Sequence, residues 1–337
     1  PLWLKIQKEE IQMRNLKRAL SLALAAIMLI GMMVVSASAV SYNDLTDKDQ
    51  IVNKDAVSML VSLGIIEGKP DGSYAPTENV DRAQMAKMLS VIMNKGVDNS
   101  ALYQSVNSGL TDITSHWAKG HINYCYTTGI IAGRGTGTFD PSATVTALEA
   151  AKMLLVAVGY DPAIEGFEGA DWAINVSVRA DEQGIFEGFT KDLSAPLNRD
   201  DAALLIYNAL DVEMIQSYTT NNYPIVYSDH RTILSDKYGV IKVEGVVTAN
   251  EWAILDDDTD TALQEGKTRI YNPDGILSTT GNTAVAQDSS ANVKTQVFNV
   301  STPVDMLGKA VTMYVKKTTI LADSTVYGAP VVSDVNT

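Results

Sequence analysis

The side chains that most often carry out catalysis are scarce in this sequence and are not arranged for it. The 337 residues include three histidines, His116, His121 and His230, and one cysteine, Cys125. No Gly-x-Ser-x-Gly, His-Glu-x-x-His or paired Cys–His pattern surrounds them. Cys125 falls on the apolar side of a predicted helix, which indicates a small core residue rather than a reactive thiol. We therefore predict that the protein is not an enzyme.

Two other patterns could hold ions but lack the required geometry. The alternating glycines between 133 and 137 are not followed by Lys and then Ser or Thr, so they indicate a flexible turn rather than a phosphate loop. The aspartates between 256 and 260 resemble the start of an EF-hand, but Thr261 stands at the glycine position and Lys267 at the glutamate position. We predict no cofactor and no metal ligand, and a loosely bound calcium ion at this acidic turn stays open.

Three segments begin alike and predict helices with one buried face. Each opens with a residue whose side-chain oxygen can accept a backbone N–H, and each carries Gln, Glu or Asp three positions later. Apolar residues follow at i, i+3, i+4 and i+7. The three starts are Asp81 to Gln84, Thr146 to Glu149 and Asn198 to Asp201.

A second helix precedes each of these starts. It ends at a glycine followed by two apolar residues, and glycine is the residue that leaves a helix through a left-handed C-cap. The three glycines, Gly64, Gly129 and Gly184, are separated by 65 and 55 residues. Because these intervals are long and unequal, we predict a small closed cluster of helical pairs rather than an open array.

The middle copy carries further motifs that make a resemblance specific. It contains Thr111-Asp112-Ile113, then His116-Trp117-Ala118, then Phe139-Asp140-Pro141. With the glycine turn and the capped helix, this pattern resembles the S-layer homology domain, which normally occurs in threes. The resemblance covers residues 42–212, about half of the chain. It implies an all-α triplet, a pseudo-threefold cluster of helical hairpins. The grooves between the copies would bind secondary cell-wall polysaccharide, which often bears pyruvate ketals.

The resemblance also implies a set of ligand-binding residues. A ketal carboxylate suits a guanidinium fork, a sugar face suits an indole ring, and a backbone at a glycine turn can approach a ligand closely. By resemblance the ligand-binding residues are Arg82, Arg199, Trp117, Trp172, Asp44, Asp112, Gly64, Gly129 and Gly184.

Structural roles compete with each of these assignments. The tryptophans could belong to the core, the glycines could serve only as helix ends, and the aspartates could only cap a helix or turn. The two arginines stand just inside a helix N-terminus, where the dipole disfavours a cation, so a ligand or a salt bridge must account for them. Two departures predict unequal grooves. The arginine position of the second copy is Ala147, and the tryptophan position of the first copy falls near Gln50 and Ile51.

The charge of the chain limits its partners. The formal net charge is −14. Without residues 1–39, 21 basic and 38 acidic residues remain, a net charge of −17. A protein this acidic is a poor candidate for nucleic acid binding.

The first 39 residues predict export. Residues 13–39 have basic residues, then an apolar run, then Ser36 to Ala39, which is typical of a cleaved signal peptide. A transmembrane anchor is the alternative, but the apolar run is short for spanning a bilayer. We therefore predict no membrane span in the mature protein. Residues 1–12 would lie upstream of the translated protein, because Met13 has the context of a start codon.

The chain then divides into helical and β-rich parts. We predict the three copies at residues 40–100, 101–160 and 161–213, and a linker at 214–237. Residues 238–337 show alternating β-branched runs separated by turn residues, which predicts a small, mostly antiparallel β domain.

These features together predict an exported cell-surface protein of the cell wall or surface layer. The triplet would anchor it without a covalent bond, and self-assembly into a surface layer is a second expected association. The alternative is a cell-wall or polysaccharide hydrolase with the same anchor, whose catalytic domain would lie beyond residue 337.

Overall fold

The computed structural model describes residues 41–255, 262–273, 294–316 and 325–333. The predicted signal peptide and the aspartates between 256 and 260 lie outside these ranges. Among the described helices, none has the length and apolar composition that crossing a membrane requires.

Six α-helices in the described part of the chain lie in the three predicted copies, two helices to each. They are α1 Lys54–Ser62, α2 Arg82–Met93, α3 Lys119–Thr127, α4 Ala147–Ala157, α5 Trp172–Glu182 and α6 Arg199–Leu210. The predicted caps are confirmed. Asp81 and Thr146 form reciprocal capping boxes with Gln84 and Glu149, and the Asn198 side chain accepts from the backbone of the third helix start.

The closest helix pairs join neighbouring copies. Helix α2 packs against α3, α4 packs against α5, and α6 returns to pack against α1. The expectation of helical hairpins is therefore corrected in this respect, because the main partner of each helix lies in another copy. Each apolar face then covers the face of a neighbour, and one continuous core results.

Three hydrogen bonds close the arrangement into a ring. Val80 N donates to Leu197 O at 2.8 Å, Leu197 N donates to Val145 O at 2.8 Å, and Val145 N donates to Val80 O at 2.9 Å. Each of these residues immediately precedes a helix cap, so the starts of α2, α4 and α6 meet at one point.

Seven strands follow the helices in the described residues. They are β1 Ile215–Tyr218, β2 Pro224–Val226, β3 Val240–Ala249, β4 Thr268–Tyr271, β5 Thr295–Phe298, β6 Ala310–Lys316 and β7 Val326–Val332. Strands β1 and β2 pair with each other, and the others form one sheet in the order β5-β4-β3-β6-β7. Every pairing is antiparallel, so the predicted antiparallel sheet is confirmed.

The sheet packs directly on the helices. The Tyr238 hydroxyl donates to Ile92 O at 3.2 Å, and the rings of Tyr207 and Tyr314 meet edge to face at 5.8 Å. Tyr238 and Tyr314 belong to the same core cluster as the helical residues. The start of β3 and the centre of β6 are thereby held against the helical cluster.

Candidate functional site

Asp112 fastens the loop between the two helices of the second copy. Its carboxylate accepts from Phe139 N at 2.9 Å and from Asp140 N at 2.6 Å. Asp140 has a φ of 60°, a conformation that non-glycine residues rarely adopt without local support. Burial acts to raise the pKa of Asp112, but the backbone hydrogen bonds from these two residues outweigh it and lower the pKa overall.

The counterpart of Asp112 in the first copy is Asp47, three residues beyond the Asp44 that the sequence comparison paired with it. Asp47 accepts from Tyr74 N and Ala75 N, both at 2.7 Å, and Ala75 repeats the positive φ of Asp140. Asp44 instead accepts from Ser41 N at 3.0 Å at the start of a short 3-10 turn. That alignment is therefore corrected to Asp47.

The three predicted glycine turns have the expected left-handed conformation. Gly64, Gly129 and Gly184 have φ values of 70°, 80° and 68°. The residues after them donate back into the helix; Ile65 N, for example, donates to Leu60 O at 2.9 Å and Ile130 N to Cys125 O at 2.9 Å. These N–H groups are thus used as C-caps, and the glycines contribute by turning the chain toward the inter-copy surface.

The predicted arginines connect one copy to the next. Arg82 Nε donates to Phe139 O at 2.8 Å and its Nη2 to Ala132 O at 2.9 Å. Its side chain is only 5 % exposed, and burial lowers the pKa of Arg82 to about 10, so the guanidinium stays charged at neutral pH. Burying a guanidinium without hydrogen-bond acceptors would be costly. The two carbonyl acceptors therefore account for a buried cation at a helix start.

Arg199 repeats this arrangement between the third copy and the first. Its Nε donates to Tyr74 O at 2.7 Å and its Nη2 to Glu67 O at 3.3 Å. The guanidinium carbon lies 4.8 Å from the centre of the Tyr74 ring. Both arginines therefore hold a neighbouring loop with the same edge of the guanidinium.

One groove, here called groove A, gathers residues of all three copies. It has a volume of about 500 Å³. The first copy contributes the turn after Gly64 and Lys87, the second contributes Trp117, and the third contributes Arg199. Trp117 is 56 % exposed, so it is not a core residue. The lining residues are Ile65, Ile66, Glu67, Gly68, Lys69, Pro70, Val80, Gln84, Lys87, Met88, Trp117 and Arg199.

Groove B is the equivalent groove one copy further round the ring. It has a volume of about 540 Å³. The second copy contributes the turn after Gly129, the third contributes Trp172, and the first contributes Arg82. The lining residues are Arg82, Ile130, Ala132, Gly133, Arg134, Gly135, Glu149, Lys152, Met153, Phe167, Glu168, Gly169 and Trp172.

Both grooves hold more cations than carboxylates. Groove A has Lys69, Lys87 and Arg199 with one carboxylate, Glu67. Groove B has three cations and two carboxylates, and its Arg134 Nη1 lies 2.9 Å from Glu149 Oε1. In a chain this acidic, each groove is a local cationic site that suits an anionic ligand.

Sequence reasoning missed Lys87 and Lys152. Each stands five residues after the first residue of its helix, in the repeated sequence Ala-Lys-Met-Leu, and that repetition could have shown them. The Lys152 ammonium donates to Phe167 O at 2.6 Å and lies 5.7 Å from the Trp172 ring centre. Burial, with Arg82 nearby, lowers the pKa of Lys152.

The third inter-copy position, at the turn after Gly184, lacks these features. Ala147 stands where the other copies have arginine, and Val52 stands twelve residues before its glycine turn, where the others have tryptophan. Val52 is 82 % exposed. The backbone N–H groups of Val52 and Asn53 donate to the Asp200 carboxylate at 3.3 and 3.2 Å. This carboxylate adds a negative charge to the third inter-copy position.

The histidine beside groove A belongs to a buried contact rather than a catalytic one. His121 Nδ1 lies 2.6 Å from Ser90 Oγ, and its Nε2 lies 3.6 Å from Asp98 Oδ2. Ser90 also donates to Lys87 O at 2.9 Å, and both Ser90 and His121 are buried, so a substrate cannot reach the hydroxyl. Burial lowers the pKa of His121. Cys125 is buried as predicted, and its thiol pKa is raised by burial.

No group of three or more potential metal ligands lies close together within the described ranges. The calcium alternative concerned an acidic turn outside those ranges. The described grooves therefore offer cations, an indole and backbone turns, which are the means of binding a sugar or an anion.

The sequence was compared with protein-family models and with known proteins. Residues 41–86 and 109–151 each match the family model of the S-layer homology domain. Each match runs from the opening of a copy, through its glycine turn, into the first part of its second helix.

The relatives are long surface proteins and enzymes. A cell surface protein of Thermoanaerobacter kivui is 27 % identical over 270 residues, which cover 79 % of this chain and 32 % of the relative. An S-layer protein of Bacillus licheniformis is 32 % identical over 113 residues, 34 % of this chain and 12 % of the relative. An exoglucanase of Acetivibrio thermocellus is 28 % identical over 192 residues, 52 % of this chain and 17 % of the relative.

The chain thus spans a third or less of the length of these relatives. The match to the S-layer homology domain and the similarity to surface proteins confirm the predicted location in the cell wall or surface layer.

Proposed function

We propose that this chain anchors an exported protein to the cell wall by binding an anionic secondary cell-wall polysaccharide in grooves A and B. The observation that carries the proposal is the composition of each groove. A turn from one copy, a tryptophan from the next and an arginine from the remaining copy converge there. These are the residue types that the resemblance implied, brought together from distant parts of the chain.

The proposal includes a third S-layer homology domain at residues 161–213 and a pseudo-threefold arrangement of the three. Support comes from the ring of hydrogen bonds among Val80, Val145 and Leu197, and from the return of α6 onto α1. The third copy also repeats the glycine turn at Gly184 and the cap at Asn198.

The ligand we propose is a polysaccharide with carboxylate groups, such as pyruvate ketals. The excess of cations in both grooves favours an anion, and the exposed face of Trp117 favours a sugar ring. Asp112 and Asp47 act indirectly by fixing the loops, and the arginines contribute charge behind the groove surface. No cofactor takes part in this binding.

Co-sedimentation with purified cell-wall sacculi tests the proposal. We expect the full chain to sediment with native sacculi and to remain in solution with sacculi whose secondary polysaccharide was removed by acid. Equal binding to stripped sacculi would overturn the proposed ligand. Binding to neither would overturn the anchoring function.

The anchored protein is proposed to be a surface-layer component, because one relative is an S-layer protein and the similarity to the Thermoanaerobacter kivui cell surface protein extends over 79 % of this chain. The similarity to an exoglucanase favours a second candidate, a hydrolase that uses the same anchor. Two assays on the complete gene product separate the candidates. Hydrolysis of wall polysaccharide would favour the hydrolase, and assembly into regular sheets would favour the surface-layer component.

A further inference from the structure

The arginines of the two grooves have already used the edge that would bind a carboxylate side-on. In Arg82 and in Arg199 the Nε and Nη2 groups donate to backbone carbonyls of a neighbouring copy. The side-on fork needs these two groups together, because they point in parallel from one edge of the guanidinium. The side-on fork of each arginine is therefore unavailable to a ligand carboxylate, which leaves the end-on N–H groups of the arginine and the other cations of the groove as its donors.

A lysine occupies the same position in both grooves. Lys87 of α2 lines groove A and Lys152 of α4 lines groove B. The Lys87 side chain is 36 % exposed, and its ammonium has one carboxylate partner, Glu67 Oε2 at 3.3 Å, in the described part of the chain. The Lys152 ammonium lies 5.7 Å from the Trp172 ring centre. Groove B thus presents an ammonium and an indole 5.7 Å apart, and in groove A Lys87 and Trp117 line the same space.

The third inter-copy position serves as an internal comparison. There the equivalent of the lysine is Leu204, the equivalent of the tryptophan is Val52, and the equivalent of the arginine is Ala147. All three residues of the set are absent from one place and present in the other two. A lysine that only made its own helix soluble would not need to occur together with a tryptophan that another copy contributes to the same groove.

We propose that Lys87 and Lys152 are the residues that recognise the carboxylate of the ligand, and that Arg82 and Arg199 hold the grooves together behind them. This inference rests on the proposed function. Each lysine and its neighbouring tryptophan form one subsite for an acidic sugar, with the ammonium on the carboxylate and the indole on the ring face. An ammonium can approach a ketal carboxylate from several directions, because its three donors are not held in a plane.

The subsites predict a stoichiometry and a charge preference. The chain would bind two short acidic saccharides, one in each groove, and the third inter-copy position would bind none. Removing the ketal carboxylate would remove the partner of the lysine but leave the sugar face for the tryptophan. The lysines therefore determine selectivity for the acidic sugar over its neutral form.

Calorimetry on the full chain tests this with two probes, a methyl glycoside that carries a pyruvate ketal and the methyl ester of the same compound. The variants are Lys87→Met, Lys152→Met and the double variant, since Met keeps the length of the stem and removes the charge. Lys309→Met is a matched control, because Lys309 is 44 % exposed and lies 3.3 Å from Asp305, outside both grooves. Thermal unfolding of each variant verifies that it is folded.

We expect two acidic probes per wild-type chain, one for each single lysine variant, and a loss of about ten- to a hundredfold in affinity for the double variant. The ester should bind all variants equally, and Lys309→Met should match the wild type. Acidic-probe binding by the double variant at wild-type strength would overturn the inference and leave the proposed function intact. An equal loss for both probes would also overturn it, since that indicates a structural role. A wild type that binds neither probe would overturn the proposed ligand, and the inference with it.

Discussion

Arg82 contacts Phe139 in two ways at once. Its Nε donates to the Phe139 carbonyl at 2.8 Å, and its guanidinium carbon lies 4.4 Å from the centre of the Phe139 ring. The two residues belong to different copies and are 57 positions apart. Arg199 and Tyr74 repeat the same pair of contacts between the third copy and the first. These contacts make the arginines clamps between copies.

The clamp predicts a stability cost for Arg82→Met. The variant removes the charged donor of the buried hydrogen bond to Phe139 O and of the partly buried one to Ala132 O, so the free energy of unfolding should fall by about 2–4 kcal/mol. Urea denaturation followed by circular dichroism measures this. Arg134→Met is the control, because Arg134 is 40 % exposed and its ion pair with Glu149 is worth about 1 kcal/mol or less. Equal stability of Arg82→Met and the control would contradict the clamp.

Asp112 predicts a loss of stability in acid. Its pKa in the folded state is lower than in the unfolded chain, so its contribution is present above the unfolded pKa of 3.8 and disappears as the pH falls through the folded pKa. Asp112→Asn should reduce the dependence of unfolding on pH in the range below about 4. Thermal unfolding between about pH 2 and 5 measures the difference. An unchanged pH profile would show that the two backbone hydrogen bonds do not stabilise the carboxylate.

His121 predicts a second pH dependence, at higher pH. Burial lowers its pKa and Lys87 acts in the same direction, while the facing carboxylate of Asp98 opposes them. The unfolded chain therefore binds the proton more readily, and stability should fall as the pH drops below about 6.5. His121→Gln should flatten the profile between about pH 7.5 and 5. His230→Gln is the matched control, since His230 is half exposed and pairs with Glu213 outside the grooves. A profile that changes equally in both variants would contradict the assignment.

Two exposed tryptophans allow a matched test of the sugar face. Trp117 is 56 % exposed in groove A, and Trp252 is 63 % exposed outside both grooves. Trp117→Ala should weaken acidic-saccharide binding to groove A by about three- to tenfold and change the free energy of unfolding by about 0.5 kcal/mol or less. Trp252→Ala should change neither quantity. Calorimetry with the ketal-bearing glycoside measures the affinity, and an equal effect of both substitutions would remove Trp117 from the site.

The helix starts and ends could be predicted from the sequence because they depend on local interactions. A side chain such as Asp81 or Thr146 accepts a hydrogen bond from a residue three positions away, and a glycine such as Gly129 adopts its φ without a side chain to oppose it. The strands of the sheet could be predicted from a different local pattern. Successive side chains of a strand point to opposite faces, so burial of one face gives alternating apolar and polar residues.

The pairing of Asp44 with Asp112 was wrong although the sequence held the correct one. Leu45-Thr46-Asp47 repeats Leu110-Thr111-Asp112, and Asp47 and Asp112 both stand 17 residues before a glycine turn. The hydrogen bonds from Tyr74 and Ala75, 27 and 28 residues away, show the same equivalence.

The sequence by itself determined which residue types the protein has for binding: two arginines, two tryptophans and three glycine turns in a repeated order. Only the tertiary structure decided which of them meet. Groove A takes its turn, its tryptophan and its arginine from three different copies, and α6 must return to α1 for Arg199 to reach Glu67 and Tyr74. It also decided that each guanidinium donates to backbone carbonyls of a neighbouring copy and that a lysine lines the same groove. The physical reason is that a helix side chain contacts whatever surface packs against it, and that surface belongs to a distant part of the chain.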